Sequence, residues 1–87
     1  MESLNELYAT ARDEFEIAAE ETEKKTVYAA DDRAAASEAL QALKEGYDRA
    51  ISQGSPEVAK EVQERVGQRI RELENAITAM EEMAMHD

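Results

Sequence analysis

From Leu4 onward, apolar and small side chains recur at helical spacing. Leu4, Tyr8, Ala11, Phe15, Ala18 and Thr22 follow one another at steps of 4, 3, 4, 3 and 4. That spacing lays them in one stripe along an α-helix. Ala36, Leu40, Leu43, Tyr47 and Ala50 repeat the pattern at steps of 4, 3, 4 and 3, with Ala39 and Ile51 widening the face. Val62, Val66, Ile70, Leu73, Ile77, Met80 and Ala84 form a third stripe. No stretch alternates apolar and polar residues long enough to make a strand. Ala, Glu, Leu, Gln, Lys and Arg, the strong helix formers, dominate the whole chain.

The breaks between stripes differ in kind. Gln53-Gly54-Ser55-Pro56-Glu57 is the strongest local signal. Gly54 suits the left-handed position after a helix end. Ser55 suits an N-cap, and Pro56 suits the first helical position after it. The earlier break, Lys25-Thr26-Val27-Tyr28, has neither Gly nor Pro. It is expected to be soft, with Asp31 or Asp32 capping the next helix. The chain is therefore read as one all-α domain, an antiparallel three-helix bundle over residues 1–87, with helices at about 3–25, 31–53 and 56–84. The alternative is a long helical hairpin that dimerises. The expected core is Leu4, Tyr8, Phe15, Leu40, Leu43, Tyr47, Ile51, Val62, Val66, Ile70, Leu73 and Ile77. In 87 residues such a core is marginal. Gly46 and Gly67, inside helices, are read as points of close helix packing rather than as a groove for a partner backbone.

Charge narrows the functional classes. The net charge is −11, from 21 acidic and 10 basic residues. Residues 1–23 hold eight acids and one base, or −7 of that total. Such a balance argues against a phosphate-binding stripe, and no nucleic acid partner is expected. It also disfavours an anionic membrane surface. No apolar run approaches the roughly 20 residues of a transmembrane helix. The start of the chain lacks the basic and apolar regions of a signal peptide, so an intracellular location is expected.

Reactive chemistry is sparse. There is no cysteine, and the one histidine is His86. A di-iron bundle needs Glu-x-x-His pairs, but Met83 stands three residues before His86. Glu82, His86 and Asp87 make at most a weak surface metal clip, and His86 reads more simply as a frayed terminal residue. Asp31-Asp32 lacks the spaced oxygens of a calcium loop. Gly46, Gly54 and Gly67 are too scattered for a phosphate loop. No enzyme activity, cofactor or resident metal is expected.

Two features point to a partner. Ile17 lies off the first stripe among Asp13, Glu14, Glu20 and Glu21. Single exposed apolar residues are common, and Ile17 packed on the third helix is the competing reading. Ringed by acids, however, it offers both a contact and a field for a basic segment. Met80, Met83 and Met85 are soft, adaptable side chains that serve equally as core filler or as a binding surface. Lys60, Arg65, Arg69 and Arg71 form a basic cluster, but Glu61 and Glu72 flank it, so a solvated salt-bridge ladder is expected.

Two short resemblances accompany these readings. Asp13 to Glu21 is similar to the start of acyl-CoA-binding proteins, but that family's Tyr-and-Lys-rich second-helix motif and its tryptophans are absent here. Glu38-Ala39-Leu40 with Tyr47, Ala50 and Ile51 resembles the second helix of microtubule-interacting-and-transport domains. The run from Ser55-Pro56-Glu57 to Leu73-Glu74 resembles their third. That likeness implies a three-helix module binding short helical motifs; the first helix here is longer and more acidic, and no residue role carries over.

The expectation is a non-enzymatic protein–protein interaction module, an adaptor or regulatory domain. Its partner would be another protein with a basic amphipathic segment, met by Asp13, Glu14, Ile17, Glu20, Glu21, Met80 and Met83. The alternative is structural homo-oligomerisation, as a coiled-coil-like hairpin homodimer.

Overall fold

The computed structural model describes the backbone of residues 2–85 and the side chains of residues 4–85. The helices are α1 (Glu2–Lys24), α2 (Ala29–Gln53), α3 (Pro56–Val62) and α4 (Gln68–Met85), with a π-helical segment at Gln63–Gly67. α3, the π segment and α4 run on without a gap, so the chain makes three rods. Residues 56–84 should span about 43 Å at 1.5 Å per residue, and the molecule is 45 Å long and 19 by 15 Å across. The three-helix bundle expected from the stripes is the fold.

The first break is a sharp reversal rather than a soft one. Lys25 takes a left-handed conformation, with φ of 57°. Its N–H donates to the Thr22 carbonyl at 3.2 Å, and the Thr26 N–H donates to the Glu21 carbonyl at 3.1 Å. These are the two bonds of a Schellman motif, with lysine where glycine is usual. The Thr26 hydroxyl also donates to the Glu21 carboxylate, and Arg33 of α2 donates to the Thr22 hydroxyl at 2.9 Å. The capping expected of Asp31 or Asp32 is not found. α2 begins two residues earlier, after Tyr28, which makes no side-chain capping bond. Both aspartates lie in the first turn, where the positive end of the helix dipole favours them.

The second break keeps its expected capping but not its expected glycine geometry. The Ser55 hydroxyl accepts from the Val58 N–H at 3.3 Å, and Pro56 opens α3. Gly54 is extended, with φ of −83° and ψ of 166°. Glycine is needed for room instead. A Cβ there would sit 2.7 Å from the Ala50 carbonyl oxygen and 3.2 Å from Val58 Cγ1.

The core is smaller-sided than expected where α1 meets α2. Leu4, Ala11 and Ala18 of α1 and Ala29, Ala36 and Leu43 of α2 are buried. The pairing of α1 with α2 is the most extensive in the molecule. Alanines let the two backbones approach closely, which leaves no room between them for large rings. Tyr8, Phe15, Leu40, Tyr47 and Ile51, expected in the core, are therefore only half-buried and pack against its flanks. The third rod supplies the bulk: Val62, Val66, Ile70, Leu73, Ile77 and Met80 are all buried. Each such side chain contributes about 1.5–3 kcal/mol when fully buried. Ser37 donates to Glu81 at 2.7 Å and Lys44 to Glu74 at 2.5 Å, tying α2 to α4.

The π segment follows from the third stripe. Val62, Val66 and Ile70 are two successive steps of 4 before the 3, 4, 3 pattern resumes. Over eight residues an α-helix overshoots two turns by about 80°. A wider local turn takes up part of that drift and keeps all three side chains inward. Gly67 closes the segment beneath Tyr47, whose hydroxyl would lie 2.8 Å from any added Cβ. Gly46 similarly lies under Leu7, at 2.8 Å on the same measure. Both glycines are close-packing positions, as expected.

Candidate functional site: an apolar groove between α1 and α4

The same contrast in side-chain size leaves a groove on the far side of α1. Phe15 and Ala19 of α1 face Ala76, Ala79, Met80 and Met83 of α4. They enclose about 570 Å³. Phe15 is too large for the α1–α2 seam and stands as one wall. The alanines give the groove its depth. Met80, 6% exposed, lies at its base, while Met83, 68% exposed, forms its lip. Thr22, Glu23 and Lys25 close the end nearest the first turn. Val27, Tyr28 and Met85, also exposed, lie at that end of the molecule, so the apolar surface is concentrated there.

The residues expected to meet a partner separate into two groups. Met80 and Met83 line the groove. Asp13, Glu14, Ile17, Glu20 and Glu21 do not. Ile17 is 48% exposed, but it is two residues from Phe15 and so points about 200° away around α1. Glu20 pairs with Lys24 at 2.8 Å. That hydrogen bond, then the lysine charge, holds the Glu20 carboxyl below its ordinary pKa and raises that of Lys24. Glu21 is engaged with Thr26 in the turn. Phe15, Ala19, Ala76 and Ala79 are groove residues that the sequence reading did not assign to a site. Their one signal is that Ala76 and Ala79 extend the third stripe sideways, beyond the width a small core needs.

A larger hollow of about 770 Å³ is lined chiefly by polar and charged side chains, among them Glu61, Glu64, Arg65, Arg69 and Glu72. Arg65 pairs with Glu61 at 3.3 Å, one rung of the ladder expected there, while Glu72 accepts from the Gln68 amide at 3.3 Å; a lining this polar gives an apolar partner little to bury. His86 and Asp87 of the suggested metal clip lie outside the described residues. Among the described residues, no three His, Cys, Asp or Glu side chains stand together as a metal site. Nor is any described helix long and apolar enough to cross a membrane.

Residues 1–82 match the family model of the embryogenesis-like protein helical domain, and the chain belongs to that family. No curated protein and no solved structure matches the chain.

Proposed function

We propose that this member of the embryogenesis-like protein helical domain family is a non-enzymatic protein–protein interaction module. Its α1–α4 groove takes one amphipathic helix, with a basic outer face, from a partner protein. The observation that carries the reading is the groove itself: an apolar trough between two rods, walled by Phe15 and Met83 and floored by Met80. A helix laid there completes a fourth rod of the bundle, anchored by large apolar residues at i and i+3 or i+4. Charge argues for the basic face. Glu23 and Lys25 at the end of the groove offset each other, but residues 1–23 carry a net −7. That field speeds encounter with a cation-bearing helix. It also weighs against a second copy of this chain, which would bring another −11. On this reading the acids around Ile17 steer the partner, and the groove holds it.

A synthetic Leu–Lys amphipathic helix is a suitable probe. Ala79→Lys places a like charge on the groove wall at an exposed position and should weaken binding about tenfold or more. Ile17→Ala and Arg65→Glu should leave the affinity within about twofold, and added salt should slow association. Equal binding of a Leu–Glu helix, or loss of binding on Arg65→Glu alone, would contradict the proposal. A dimer in sedimentation that Ala79→Lys dissociates would replace it with self-association.

A further inference from the structure

We infer that Met83 is an oxidation-sensitive modification site that controls access to the groove; this rests on the docking reading above. Three methionines sit at the end of α4 in three different settings. Met80 is at the base of the groove and buried, Met83 is on its lip and exposed, and Met85 is exposed but outside the lining. A thioether reacts with a hydroperoxide according to its access to solvent. The sulfur takes one oxygen atom from hydrogen peroxide, the O–O bond breaks, the sulfur is oxidised by two electrons, and water leaves. Met83 and Met85, exposed, are open to that reaction, and Met80, buried, is shielded from it.

Of Met83 and Met85, only Met83 matters to docking. The sulfoxide is polar and chiral where the thioether was flexible and apolar. At Met85 it remains in water and changes little. At Met83 a docked helix must bury it in a groove lined mainly by Phe15, Ala19, Ala76, Ala79 and Met80, with the donors Thr22 and Lys25 at its end, and a polar group buried among apolar side chains is costly. Oxidation thus weakens docking without unfolding the bundle, because Met83 contributes little to the core. Methionine sulfoxide reductases reverse the modification.

The test uses the whole chain, brief peroxide treatment, and the same Leu–Lys helix as probe, with affinity measured before and after. Peptide mass mapping should find oxygen added at Met83 and Met85 well before Met80. Oxidation should weaken binding about tenfold in the unmodified sequence and in Met85→Leu. In Met83→Leu the ratio of the two affinities should stay near one. Helicity should be unchanged throughout. Failure to bind before peroxide would overturn the docking reading itself. Binding that survives oxidation of Met83, or a loss that Met83→Leu does not prevent, would overturn this inference alone.

Discussion

The two seams that α1 makes are built from different side chains and end in different states. Against α2 it presents Leu4, Ala11 and Ala18 to a face carrying Ala29, Ala36 and Leu43, all buried. On the side of α4, Ala11 and Ala18 share one buried cluster with Ile77 and Met80, but Phe15 and Ala19 stand at the edge of an open trough. Alanines on both sides, with a leucine on each, close one seam. On the other side Phe15 stands opposite alanines of α4 that are not fully covered, and space is left between them. One helix thus serves both as a structural partner and as the wall of an open groove, according to which side is viewed.

The largest effect expected is at the base of the α4 seam. Ile77 is buried, and Ile77→Ala should cost about 3 kcal/mol by loss of contacts and creation of a cavity. A loss below about 1 kcal/mol in urea unfolding would mean that α4 is not packed as described. Next comes the closed seam, where Ala18→Leu should cost about 2 kcal/mol through overpacking. Lys25→Gly, at the turn joining α1 to α2, should stabilise by about 1 kcal/mol, because lysine resists the left-handed conformation that glycine accepts. No gain in the thermal midpoint would argue against that turn geometry. The smallest effect sharpens the contrast most: Ala79→Leu makes the same change in size as Ala18→Leu, but it fills open groove and should alter stability by no more than about 0.5 kcal/mol. If both alanine substitutions cost the same, the two seams are not different.

Much of the fold was legible because helix periodicity and capping are local. The three stripes and the Ser55-Pro56 helix start follow directly from residue order. The remainder depended on contacts across the chain. Lys25 gives no hint of positive φ, since the reversal is fixed by Thr22, Glu21 and Arg33 around it. Gly54 was misread for a related reason: its small size is required by Ala50 and Val58, and its dihedrals are ordinary. The π segment was visible in the two successive steps of 4, but only as a departure from a pattern that otherwise holds. The groove was half legible. Met80 and Met83 stood out by their chemistry, whereas Phe15 looked like core until the alanine seam showed that no ring fits there. Ile17 stood out equally, yet helix geometry turns it away from the groove.

The central claim is that the α1–α4 trough holds a basic amphipathic helix. Titrating the isotope-labelled protein with the Leu–Lys helix and following its amide resonances tests this most directly. The account predicts shifts that cluster at Phe15, Ala19, Ala76, Ala79 and Met83, with Arg65 and Arg69 undisturbed. Shifts centred on Ile17 with the trough silent, or spread evenly over the acidic surface, would contradict it.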